Sequence, residues 1–150
     1  MMNSIKQYEK TIDRIIEIKE ATHEKWNNAI AEGKWSIMQI VGHIYYWDKY
    51  ILEIVIPQLQ DGADLPPFPD HDLYNEEAMN FIRDFSNEHL VNAFVKTRKD
   101  LVEELSKIDQ DVRFTINGSK RRYSTDSFIR MFLEHDEHHL KQIQEFSQKK

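Results

Sequence analysis

Apolar residues recur at intervals of three and four through most of the chain, the spacing of one face of an α-helix. Ile5, Tyr8, Ile12, Ile15/Ile16 and Trp26 mark a first helix over about Ser4–Glu32, interrupted at Lys19 and ended by Gly33. Ser36, with Gln39 three residues on, has the pattern of a capping box. It opens a second helix that runs to about Gln58, where Pro57 and "DGADLPPFPDHD" close it. A third helical stretch covers about Asn75–Ile108, and Ser86 is placed to break it as a fresh N-cap. Thr125 or Ser124 caps the last helix, about Asp126–Gln148. Ahead of it, Val112, Phe114 and Ile116 alternate with polar residues, and Asn117-Gly118 is a hairpin signal. The pattern predicts an all-α protein: a four-helix bundle with a small hairpin before helix 4. The long connection between helices 2 and 3, residues 61–74, holds three of the four prolines and reads as either a crossover or a lid.

Composition narrows the class. A chain of 150 residues, 40% hydrophobic and 31% charged, suits one domain over residues 1–150 and excludes disordered and fibrous classes. The absence of cysteine removes disulfides, thiolate metal sites and a protein thiol nucleophile. The opening "MMNSIKQYEK" lacks the apolar stretch of a signal peptide, and no apolar run could span a bilayer. The expectation is a cytoplasmic protein with no membrane partner. The net charge of −6 argues against a nucleic-acid surface, and the basic cluster "SKRRY" (119–123) reads as a solvated strand.

Helical spacing then sorts the dense segment "FLEHDEHHLKQI" (132–143). Phe128, Met131/Phe132, His135, His139, Gln142/Ile143 and Phe146 share one stripe, whereas Glu134, Asp136, Glu137 and His138 fall on a wet side. His135 and His139, four apart, lie about 5–6 Å apart on one face and can reach one cation. The same spacing also suits a hydrogen-bonded core pair. On the second helix Ile40, His43, Tyr46/Trp47 and Tyr50 form the apolar stripe, which adds a lone core-facing histidine beside Gly42. Three neutral imidazoles with an open position make a catalytic kind of metal site rather than a closed structural one. Asp48 and Glu53 face away from His43 and add no ligand.

Two other metal patterns fit poorly. "HDEHH" lacks the general-base Glu of H-E-x-x-H, because Asp136 takes that place. A ferritin-like site wants Glu-x-x-His on two helices, and only Glu20–His23 supplies one.

"WSIMQIVGHIYYWDKYI" (35–51) and "EHDEHHLKQI" (134–143) resemble, in order and context, the two ligand-bearing helices of the DinB/YfiT-like superfamily, and the resemblance covers nearly the whole chain. It implies metal ligation by His43, His135 and His139, with His138 not a ligand. It implies up-down-down-up connectivity, for which a long 61–74 crossover is suited. It also implies a divalent metal, zinc or nickel, and frequent homodimers. Some members of the family are transferases or isomerases that use a low-molecular-weight thiol as cosubstrate. The expected function is therefore a metal-dependent, thiol-dependent S-transferase or isomerase acting on a small molecule. A metal-dependent hydrolase and a non-enzymatic metal-binding module are the alternatives. Gln39 and Gln142, each about a turn from a histidine, either orient a ligand or face water. Tyr46, Trp47 and Tyr50 read as core. His71 falls within the candidate lid.

Overall fold

The computed structural model describes residues 3–22 and 24–147. Five α-helices carry it: α1 (Asn3–Thr22), α2 (Ile37–Tyr50), α3 (His71–Ile82), α4 (Asn87–Ser106) and α5 (Thr125–Ser147). Helix α1 packs on α5 and α4, and α2 packs on α4, which closes three sides of a four-helix bundle. Helices α2 and α5 touch far less, so the fourth side is a seam. The short α3 lies outside the bundle against α2.

Two core clusters fix the directions of the four long helices. The first takes Ile12 and Ile15 of α1, Ile37–Tyr45 positions of α2, Leu90 and Phe94 of α4, and Leu140 and Ile143 of α5. The second takes Ile5 and Tyr8, Trp47 and Tyr50, Leu101 and Leu105, and Phe128 and Ile129 from the same helices. Helices α1 and α5 therefore run from the second cluster to the first, and α2 and α4 run the opposite way.

The capping box that opens α2 is formed in full. Gln39 N–H donates to Ser36 Oγ at 3.1 Å and Ser36 N–H donates to Gln39 Oε1 at 3.0 Å. Beyond Tyr50 the helix widens into a π-turn over Ile51–Val55 and tightens into a 3₁₀ turn over Ile56–Gln58. Pro57 explains the change, since it has no N–H for the carbonyl of Glu53 and its ring crowds that carbonyl. Gly42 brings α3 close: a Cβ there would collide with Cδ1 of Ile82. Ser86 does start a new helix, accepting from the backbone N–H of His89 at 3.0 Å. Asp70 starts α3 in the same way, through the N–H of Leu73, so α3 begins four residues before the expected Asn75.

Two sequence expectations need correction. The first helix ends at Thr22 rather than Glu32. Residues 24–36 form successive turns instead, with an antiparallel bridge between Ala29 and Ser36 and Gly33 at a φ of 73°. Trp26, fully buried, is carried into the core between the helices by these turns and not by a helix of its own. The hairpin is reduced to one antiparallel bridge, Phe114↔Tyr123, around a turn in which Asn117 and Gly118 both have positive φ. Thr115–Ile116 (β2) instead pairs in parallel with Asp64–Leu65 (β1) of the long connection, in register Asp64↔Thr115 and Leu65↔Ile116. The Asp64 carboxylate accepts from the Thr115 hydroxyl at 2.6 Å and the Gly118 N–H at 2.8 Å. These bonds outcompete a longer hairpin and staple the 61–74 connection to the chain that precedes α5. Lys120, Arg121 and Arg122 are exposed. Among the described residues, no helix is long and apolar enough to cross a membrane.

Candidate metal centre

The seam between α2 and α5 brings His43, His135 and His139 together. His43 Nε2 lies 3.1 Å from His135 Nε2, which lies 3.2 Å from His139 Nε2. The three ligand-capable nitrogens all fall within 4.8 Å of one another. Two tetrahedral ligands at about 2.0–2.1 Å from zinc sit about 3.3 Å apart, so these spacings suit one ion. His43 is buried, and His135 and His139 are half-buried at the seam.

Hydrogen bonds at the far side of two rings set their tautomers. His43 Nδ1 meets Asn75 Oδ1 at 3.0 Å, and His139 Nδ1 meets Gln142 Oε1 at 3.0 Å. With amide oxygens as acceptors, both Nδ1 atoms carry the proton and both Nε2 atoms present lone pairs. Only His135 could then donate from Nε2, and to one neighbour at most. One lone pair would stay facing another nitrogen, which is an unsatisfied arrangement in a buried site. A cation satisfies all three lone pairs, so the donor set fits a divalent metal.

The electrostatics agree with neutral rings. Burial, then the neighbouring His135 and His139, pushes His43 down to about 3, against the pull of its Asn75 bond. Burial, then His139, His138 and His71, pushes His135 down to about 4. Burial also lowers His139, opposed by its bond to Gln142. All three therefore stay unprotonated at neutral pH, the state a metal needs.

An apolar cavity of about 220 Å³ opens from His43 and His135 and is walled by Trp47, Phe68, His71, Asn75, Met131 and Phe132. Trp35 packs on the other side of His43, with ring centroids 5.0 Å apart. Trp47, read from sequence as core, is buried and also lines the cavity. The 61–74 connection contributes Phe68 as a wall while its backbone is stitched to β2, as a crossover would be.

Several residues stand elsewhere than the sequence suggested. Gln39 is committed to its capping box, whereas Gln142 bonds His139. His138 is exposed, apart from the cluster of three. Asp136, expected on the wet side of α5, is 2% exposed. The true inner stripe of α5 is Ile129, Leu133, Asp136, Leu140 and Ile143, so His135 and His139 lie on its flank, where the seam opens. Asp136 accepts from Arg98 Nη1 at 3.0 Å. Arg98, fully buried on α4, also holds Asp48 through two bonds, Nε–Oδ2 at 2.7 Å and Nη2–Oδ1 at 3.0 Å. Its Nη1 donates to the Tyr8 carbonyl at 2.8 Å, and Tyr8 OH donates to Asp48 Oδ1 at 2.7 Å. One residue from each long helix thus enters a closed ionic network beside the histidines. Sequence reading missed Arg98, because a lone Arg in a charged helix carries no periodic signal. It missed Asn75 because the partner histidine is 32 residues away. Of the alternative Glu20–His23 unit, His23 lies outside the described residues.

No curated protein matches the sequence. Among solved structures, YfiT from Bacillus subtilis, described as a probable metal-dependent hydrolase with an unusual four-helix bundle topology, superposes with a TM-score of 0.69 at 14% identity. The match covers 97% of this chain and 84% of that one and speaks for the shared fold. The model of the DinB superfamily matches residues 7–143, nearly the whole length. The chain with its three-histidine seam belongs to the DinB superfamily.

Proposed function

We propose that the protein is a divalent-metal-dependent enzyme in which His43, His135 and His139 hold the ion and the cavity side is left for a reactant. The observation that carries this is the convergence of three Nε2 lone pairs at 3.1 and 3.2 Å beside an apolar cavity. Bound zinc or nickel would supply Lewis acidity, lowering the pKa of a thiol or water that meets its open side. Asn75 and Gln142 orient two of the ligands. Trp47, Phe68 and Phe132 exclude bulk water, which strengthens every charge interaction in the site.

The reaction we favour is S-transfer or isomerisation with a low-molecular-weight thiol as cosubstrate. The cavity lining includes no Asp or Glu to serve as base. A thiol, with a pKa of about 8.5, needs far less help to ionise than bulk water, and the chain supplies no cysteine of its own. Hydrolysis is the second reading, favoured by His71, which lines the cavity and could orient a water. The reading includes a cytoplasmic homodimer acting on a small molecule, without nucleic acid or membrane as partner.

The test is a cobalt-substituted protein titrated with small thiols. A sulfur-to-metal charge-transfer band supports thiol chemistry. No change with any thiol, in protein that holds one cobalt ion per chain, rejects it in favour of hydrolysis.

A further inference from the structure

We propose that an open groove lined by α2, segment 66–69 and the start of α3 is a binding site for a small substituted ammonium ion. The groove has a volume of about 600 Å³ and shares no lining residue with the cavity beside the histidines. This second site goes beyond the metal-dependent reading and does not rest on it. Its aromatic wall is Tyr46, Tyr50 and Tyr74. The ring centroids of Tyr46 and Tyr74 are 4.8 Å apart, and those of Tyr50 and Tyr74 are 5.8 Å apart. The Tyr74 hydroxyl donates to the Tyr46 carbonyl at 3.1 Å, which holds these two rings in place. Pro66, Pro67 and Pro69 add stiff apolar surface, so the groove is formed before any guest arrives.

Charge decides what the groove takes. Its lining carries Glu53, Asp70 and Glu77 against Lys49 alone. Lys49 is already engaged: Nζ lies 2.8 Å from Glu53 Oε2 and 5.2 Å from the centroid of Phe81. Among the described residues, Asp70 and Glu77 have no basic partner. Asp70 is held as the N-cap of α3 through the N–H of Leu73, which leaves Glu77 as the adaptable carboxylate. Its charge reaches the rings: burial, then Tyr46 and Glu77, push the Tyr74 hydroxyl up, so the phenol stays neutral. Aromatic faces and unpaired carboxylates both attract a cation, and alkyl groups on that cation gain apolar contact with rings and prolines. The chain makes this contact once itself, with Lys49 over Phe81. A metal ion fits badly. Among the described residues only His43, His135 and His139 converge tightly enough to hold one, so the three carboxylates stand too far apart to share it. An anion would meet the two unpaired carboxylates and be repelled.

Choline and its neutral isostere, in which a quaternary carbon replaces the nitrogen, form a pair of one shape and two charges. Both are titrated into the full-length chain, with ring resonances of Tyr46 and Tyr74 as the readout. Choline should bind about tenfold tighter than the isostere. Glu77→Gln, at an exposed position, should lower choline affinity about threefold and leave the isostere unchanged. Tyr46→Leu, which removes a ring face, should lower choline affinity by about the same factor. Equal affinity for the pair, no choline-dependent shift at Tyr46 and Tyr74, or undiminished choline binding in Glu77→Gln would overturn the proposal. Choline seen only at Trp47, in the cavity beside the histidines, would overturn it as well.

Discussion

Asn75 Oδ1 lies 3.0 Å from Nδ1 of His43, on the side of the ring away from the other histidines. The contact spans α3 and α2 and turns the imidazole so that Nε2 faces its partners. Removing such an orienting group typically weakens a metal site about 10–100-fold. Asn75→Ala should weaken zinc binding by that factor in a competition titration against a coloured chelator. Unchanged affinity would mean that packing alone holds the ring.

Replacing the histidines one at a time separates the members of the cluster. Protein prepared without chelator should carry about one divalent ion per chain by elemental analysis. His43→Ala, His135→Ala and His139→Ala should each lose it, and His138→Ala should retain it. Full occupancy in His139→Ala would remove that residue from the ligand set.

The acid sensitivity of metal-free protein follows from the depressed imidazoles. Folded-state values of about 3 for His43 and about 4 for His135 lie below the ordinary 6.5, so the unfolded chain binds protons first. Their stabilising contribution is complete above about pH 6.5 and is lost as pH falls toward 4 and then 3. Urea midpoints of the chelated protein should drop between pH 7 and pH 5, and a His43→Gln, His135→Gln double variant should show a shallower drop.

The buried ions respond very differently from the surface ones. Arg98→Leu leaves the carboxylates of Asp48 and Asp136 without their guanidinium inside the bundle, a change that costs roughly 3–5 kcal/mol. At about 2–4 °C per kcal/mol for a chain of this size, Tm should fall by roughly 10 °C or more. Arg14→Ala breaks only the exposed pair with Glu137 and should cost about 1 kcal/mol or less.

Gly42 and Ile82 should show coupling of opposite sign to the usual helix rule. Alanine favours an α-helix over glycine by about 1 kcal/mol. Here its Cβ meets Cδ1 of Ile82, and overpacking of a filled core costs typically about 1–3 kcal/mol. Gly42→Ala alone should therefore be neutral to destabilising. In an Ile82→Val background, which lacks that Cδ1, the same change should stabilise, as a double-mutant denaturation cycle will show.

Local signals in the sequence were enough for the caps at Ser36 and Ser86, the core-facing His43 and the bundle itself, but they put His135 and His139 on the core stripe of α5 where both lie on its flank. These rest on short-range periodicity and on hydrogen bonds within a few residues. What escaped depends on distant partners. The stretch 24–32 reads as helix because Trp26 keeps the period, yet a bridge between Ala29 and Ser36 folds it into turns. The alternation of 112–116 reads as a hairpin strand, yet its residues 115–116 pair with the connection some fifty positions earlier. Asp136 reads as solvent-facing because helical spacing places it off the stripe that carries Phe128, Phe132 and His135, and only Arg98, 38 residues away, makes its burial tolerable.

Helices α2 and α5 carry the histidines but scarcely touch each other. Arg98 grips both from α4, through Asp48, five residues after His43, and Asp136, the residue after His135. The guanidinium therefore acts as a rigid spacer for two helices that have little other gauge between them. The gap in which an ion would sit is calibrated by a side chain that never meets it. Retuning the bite of this site toward larger or smaller cations would begin on α4 and leave every ligand unchanged.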